Sequence, residues 1–464
     1  MNAREATLPD SMRTRLSLLY FLQFAVWGCY LTCFSQLLGA GGLGRQIAWF
    51  YSAIGLVSLF TPALMGHLAD RYADATRLLA LCHCCAALAM GCAWLYASAH
   101  PQLGFAPMFA LYVLFLVFFM PTLALVNTAS FGLIKSCGRE PVDVFPGIRV
   151  WGTVGFVAAM WFVNSAWWHD GTMGFTLSDT HPMARFRFQY TSMQLFATAV
   201  TGIMAGAYSL TLPRVRRESG SAMPRTGIAL LSPKVLSSFL GDRTLRTFLI
   251  FAALSGMCLQ ISNGFATPFI THFSGMPEYA GLFASGNATM LFSLSQISEA
   301  VFILTVGLAM NRLGIRRVIT IALMAWAARF ALFGFGNPGS GLWMLALSMI
   351  VYGVAFNFFT IAGHLYMEQT SSRTHKGLGQ GVMMLASNGI GATLGTLVAG
   401  AVVNRWCSWQ MMPAPSGHGM VRLFMGEWIW PWLIFAAYAL TLAALFYMCF
   451  RENRCQIPTK KSPE

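Results

Sequence analysis

The stretch SLSQISEAVFILTVGL (293–308) is apolar throughout except for a few small polar residues and one carboxylate, Glu299, near its centre. The chain has sixteen Asp and Glu residues, and the other fifteen, among them Asp70, Asp74, Glu140, Asp143, Asp242 and Glu368, fall in polar connecting segments or tails. An ionisable group at bilayer depth costs roughly 3 kcal/mol or more, so such groups are kept where they line a cavity or a proton path. Movement of a solute across a membrane is the function class this carboxylate points to.

The rest of the chain supports a membrane setting. It has 464 residues, 56% hydrophobic and only 10% charged, far more apolar side chain than a water-facing surface tolerates. Twelve apolar runs recur, at about 16–37, 47–68, 78–99, 108–133, 149–168, 190–212, 246–270, 285–310, 318–336, 342–366, 380–404 and 428–450. Each has the length a helix needs to cross a hydrocarbon core of roughly 30 Å, and alternating strand patterns of the barrel type are absent. The first run is too long for a signal-peptide core and is read as the first helix.

The formal net charge of +14 is distributed as a membrane orientation signal rather than a nucleic-acid footprint. With the N-terminus in the cytoplasm, 24 of the 30 Lys and Arg residues fall in cytoplasmic segments and five in outer ones, leaving Arg329 within the ninth run. That is the positive-inside pattern, and an even number of spans puts both termini in the cytoplasm. The eleven cysteines lie mostly in apolar runs without metal-ligand spacing and read as small apolar fillers. The CHCC cluster around His83 reads as packed structure, because adjacent residues point in different directions around a helix. No metal or other cofactor is expected.

The longest polar stretch, residues 213–246, carries seven Lys or Arg and divides the chain. The expected organisation is a six-helix half over 1–212, a cytoplasmic central loop over 213–245 and a second six-helix half over 246–464. Within the loop, IALLSPKVLSSFL has the composition of a short amphipathic helix at the inner membrane surface. The halves echo each other: GHLADRYADATR (66–77) after the second run corresponds to GLAMNRLGIRR (307–317) after the eighth, with Asn311 where the first copy has Asp70. The outer segment WWHDGTMGFTLSDTHPMARFRFQY (167–190) is long, mixed in charge and read as a solvated loop.

Polar residues inside the runs fall at helical spacings. Arg149, Thr153 and Phe156 share one stripe of the fifth span, and Gln260 and Asn263 share one in the seventh. Gln296 and Glu299 lie one turn apart in the eighth, and the tenth offers Tyr352, Phe356 and Asn357. A cavity so lined has amides, one cation, one carboxylate and aromatic faces. It suits a neutral, flat, hydroxyl-rich solute, whose edges the amides can match as donors and acceptors and whose plane the rings can sandwich. The bland reading is that these amides and hydroxyls merely bond helix to helix, worth about 1 kcal/mol each.

At these residues a resemblance becomes specific. LSLLYFLQFAVWGCYLT (16–32), MPTLALVNTASF (120–131), FPGIRVWGTVGF (145–156), LQISNGF (259–265), SQISEAVFILT (295–305) and SMIVYGVAFNFFTIAGHLY (348–366) resemble helices of the bacterial nucleoside:proton symporters of the major facilitator superfamily. The resemblance implies an all-α membrane protein with the major facilitator fold, twelve transmembrane helices in two six-helix halves. It implies a nucleoside permease of the inner membrane, a proton as co-substrate, and a site built from Arg149, Thr153, Phe156, Gln260, Asn263, Gln296, Glu299, Tyr352, Phe356 and Asn357. The partners expected are the nucleoside, the proton and the lipid bilayer around a monomer, with no nucleic acid. Where the family pattern places Asp after YG-x-AF, this chain has Asn357, and Thr360 stands where the pattern has Asn. Asn cannot titrate. Glu299 is then the proposed proton carrier, with His364, seven residues beyond Asn357, or uncoupled transport as the alternatives. A carrier for another polar solute, a sugar or purine-related metabolite, is the second reading. An enzyme is not expected, because no paired carboxylates, Ser/His set or His-rich cluster accompanies Glu299.

Overall fold

The structure is a computed structural model that describes residues 9–72, 74–213, 240–370, 376–417 and 419–450. Most of the central loop expected over 213–245, its amphipathic segment and the basic C-terminal tail lie outside the described residues. The first half comprises α1 (Asp10–Gly28), the short α2 (Phe34–Ala40), α3 (Ile47–Tyr72), α4 (Ala75–Ala99), α5 (Phe105–Ser136), α6 (Pro141–Ser165) and α7 (Met193–Leu210). The second comprises α8 (Arg243–His272), α9 (Ala288–Phe302), α10 (Val306–Phe335), α11 (Leu342–Thr370), α12 (Lys376–Met384), a π-helical segment Leu385–Gly391, α13 (Ala392–Trp406) and α14 (Ile429–Cys449).

Every apolar run is helical, but three are interrupted. The first bends between α1 and α2, and the eighth breaks after Phe302 and resumes at Val306. The kink at Gly314, φ 75°, then divides the end of the eighth span from the ninth within α10. Only glycine enters that left-handed region without strain. The eleventh span unwinds through the π-helical segment. Among the described residues, nine helices are long and apolar enough to cross a membrane. Leu88 and Leu304 are 70% and 79% exposed, a placement that lipid, not water, explains.

Two helix starts at the N-terminal end of the bundle are capped by acids. Asp74 accepts from the Thr76 amide at 3.0 Å and Asp242 from the Leu245 amide at 2.9 Å, the side-chain capping that orphan helix donors require. Packing then repeats. In the first half α1 lies on α6, α3 and α4 on α5, and α4 on α7; in the second, α8 lies on the π-helical segment and α13, α9 and α10 on α11, and α10 on α14. Each second-half pair is the first-half pair moved six spans on, the signature of a parallel repeat. Between the halves, α6 meets α9 and α3 meets α13.

The hydrogen bonds that join the halves cluster at the far end, away from the N-terminus. Asn164 Nδ2 donates to Asn287 Oδ1 at 2.6 Å, and Trp161 Nε1 to Ser293 Oγ at 2.8 Å. The segment expected to be a solvated loop is instead folded into this seam. Its strands β1 (Ala166–His169) and β2 (Thr172–Phe175) pair through an Asp170-Gly171 turn with both φ positive, 46° and 75°, the two-residue hairpin geometry that Asp-Gly favours. Beyond the hairpin, Arg187 is fully buried and pairs with buried Asp179. Arg187 also donates to Asn287 Oδ1 at 3.1 Å, and Asp179 accepts from Ser274 Oγ at 3.0 Å. Because Asn287 and Ser274 belong to the second half, the ion pair closes the far end. A second hairpin, β3 (Cys407–Pro413) with β4 (Met420–Gly426), joins α13 to α14 and sets Trp409 against Gly39 and Gly44 of the first half.

Asp179→Ala leaves the Arg187 guanidinium buried without its carboxylate. The expected outcome is a loss of about 3–5 kcal/mol, read as a lowered Tm of the purified protein in detergent. An unchanged Tm would mean that the segment is solvated after all.

Candidate functional site

Close packing of α1 on α6 presents the stripe of the fifth span. A Cβ on Gly155 would lie 2.7 Å from the Phe21 carbonyl carbon, so glycine there lets the two backbones touch. Above that contact Arg149 lies over the Phe24 ring at 4.2 Å. Arg149 and Glu299, from different halves, interact electrostatically across the seam without a direct ion pair among the described residues. In the low dielectric of the bundle such an attraction is felt well beyond contact distance.

The aromatic wall comes from both halves. Phe156 of α6 is packed in one apolar cluster with Phe292 and Tyr352 of the second half, and Phe24, Trp27 and Phe356 pack against it. Tyr352 and Phe356 are stacked with centroids 5.7 Å apart and planes within 2°. Tyr352 is within hydrogen-bonding reach of Gln296. Gln260 and Asn263 form one amide pair, Asn263 Nδ2 donating to Gln260 Oε1 at 3.5 Å. Thr153 is half-buried on the Arg149 face.

Arg149, Phe156, Gln296, Glu299, Tyr352 and Phe356 are thus linked by contacts or electrostatics, with Gln260 and Asn263 paired on the neighbouring helix. Asn357 is engaged by a neighbouring helix. Its side chain is buried and donates to the Glu299 backbone carbonyl at 2.6 Å, tying α11 to α9. His364 lines a small cavity with Phe356, Thr360, Ser387 and Asn388.

Sequence reasoning missed Phe24 and the polar struts behind the wall. Tyr20 bonds Asn127, and a buried chain runs from His83 Nε2 to Gln23 Oε1, 2.8 Å, and from Gln23 Nε2 to Thr122 Oγ1, 2.7 Å. His83 is therefore a packed, bonded residue, as read from the sequence. The two partners of each bond sit on different helices, so no spacing within one segment could pair them.

Two half-bundles packed about a charged, aromatic-lined seam define a carrier of the major facilitator type, a membrane transporter and not an enzyme. The family described as Nucleoside H+ symporter matches residues 11–455, and the chain belongs to it. It is 34% identical over 452 residues to the nucleoside permease NupG of Escherichia coli, covering 97% of this chain and 98% of the relative. It is 33% identical over 448 residues to the xanthosine permease of the same organism, covering 96% and 97%. A crystal structure of the nucleoside transporter NupG superposes with a TM-score of 0.80 at 33% identity, covering 95% of this chain and 99% of the other. These relatives do not favour the reading as a sugar carrier.

Replacing Asn357 with Leu removes the donor to the Glu299 carbonyl. The expected loss is about 1 kcal/mol, seen as a modestly lower Tm in detergent. No change would show that the bond contributes nothing to holding α9 on α11.

Proposed function

We propose that this chain takes up nucleosides together with protons across a bacterial inner membrane, with Glu299 carrying the proton and Arg149 biasing its charge state. The observation that carries the reading is that these two charges, from opposite halves, lie within electrostatic reach of each other, beside the stacked rings of Tyr352 and Phe356. A carboxylate at this depth can alternate between a charged and a neutral form, and a facing cation ties that change to the relation of the halves. The base lies against Phe156, Tyr352 and Phe356. The amides of Gln260, Asn263 and Gln296, with Thr153, satisfy base edges and ribose hydroxyls. Asn357 acts as a strut that fixes Glu299 rather than as a direct ligand.

Both termini are cytoplasmic on this reading, supported by the concentration of Lys and Arg in the segments at the N-terminal end. The far end, closed by Asp179, Arg187, Asn164 and Asn287, then faces outward. Transport is by alternating access, one half rocking against the other about the seam. One chain supplies both walls of the site, so a monomer suffices.

Uridine and adenosine uptake into proteoliposomes tests the proposal. Wild-type uptake is expected to rise several-fold under an inward proton gradient, and Glu299→Gln uptake to be slow and indifferent to it. Equal, gradient-insensitive uptake by both would overturn the role of Glu299.

A further inference from the structure

Arg329 of α10 is fully buried, and among the described residues no carboxylate pairs with it. A buried cation in a membrane is retained only for a purpose. Its hydrogen bonds reach three other helices. Nε and Nη2 donate to Ser262 Oγ of α8 at 3.2 and 2.8 Å. Nη1 donates to Ser295 Oγ of α9 at 3.3 Å and to the Ser348 carbonyl of α11 at 2.6 Å. Ser348 Oγ returns a bond to the Arg329 carbonyl at 3.1 Å. The guanidinium also lies over the rings of Tyr352, Phe333 and Phe292, at 4.8, 4.9 and 5.7 Å.

Each of those partners sits within a turn of a site residue. Ser262 adjoins Asn263 and is two residues from Gln260, Ser295 adjoins Gln296 and is one turn from Glu299, and Ser348 is one turn from Tyr352. We infer that Arg329 is a positioning residue for the nucleoside site. From behind the wall, it fixes the mutual register of the three second-half helices that bear the site, and it holds the Tyr352 ring parallel to Phe356. The inference rests on the nucleoside-site reading above.

A plain helix-to-helix staple would not need a charge, since Ser, Thr or Asn suffice in membranes. The planar, five-donor fork of Arg can span three helices at once, whereas a Lys ammonium is a point donor. The cation also lies against Tyr352, an attraction that a neutral amide would not supply. Arg329→Lys therefore keeps the charge and loses the geometry, which makes it the diagnostic change.

The test is binding of radiolabelled uridine and adenosine to the purified full-length protein, with uptake kinetics and Tm measured alongside. Nucleoside binding by wild type and its loss in Tyr352→Ala establish the site; wild type that binds neither nucleoside overturns the site reading and this inference with it. Arg329→Lys is expected to weaken binding about tenfold, equivalent to about 1.4 kcal/mol, raising KM with little change in the maximal rate, alongside a lower Tm from the lost bonds. The Ser262→Ala, Ser295→Ala double variant keeps Arg329 and is expected to weaken binding about threefold. Adding Arg329→Lys to it should cost less than in wild type, because the same bonds are already gone. Binding within twofold of wild type in folded Arg329→Lys overturns the inference, as does a lowered Tm with unchanged affinity. If Arg329→Lys does not fold, the serine variant decides, and unchanged binding there overturns it.

Discussion

A charge buried in a hydrocarbon layer has to be answered by another charge, by dipoles or by water, and the arrangement of this protein follows from how three such charges are answered. Glu299 and Arg149, both half-buried, attract each other across the seam between the halves without a direct ion pair. Arg329 is answered within its own half, by two serine hydroxyls, a carbonyl and three ring faces. The first arrangement changes when the halves move, and the second does not. That difference separates a group suited to coupling from one suited to holding a wall in place.

The far end and the seam are built from different materials. At the far end the halves are joined by amides, a buried ion pair and two hairpins, a directional network that is either made or broken. Along the seam Trp27 and Leu31 pack against the apolar clusters of both halves. Apolar contact is non-directional and tolerates sliding. A rocking motion about the seam with a discrete lock at one end is the mechanical consequence.

Much of this was legible in the sequence, for reasons that differ by residue. Glu299 and Arg149 stand out because a charge in an apolar run has few explanations, and the spans stand out by length. Asn357 was harder: its type promised a site ligand, but its direction depends on the Glu299 carbonyl of another helix. Arg329 was visible as a cation in the ninth span, whereas its partners are scattered over three helices and share no spacing. The segment 167–190 looked solvated because it is long and mixed in charge. Its Asp170-Gly171 turn was readable, yet Asp179 and Arg187 meet only once the following turns fold.

The claim on which the rest stands is that Arg149 and Glu299 act as one unit across the two halves. A double-mutant cycle with Arg149→Gln and Glu299→Gln, read as nucleoside affinity, measures that directly. The account predicts a coupling of about 1–3 kcal/mol, so that the double variant binds far better than the product of the single losses implies. Strictly additive losses would contradict it.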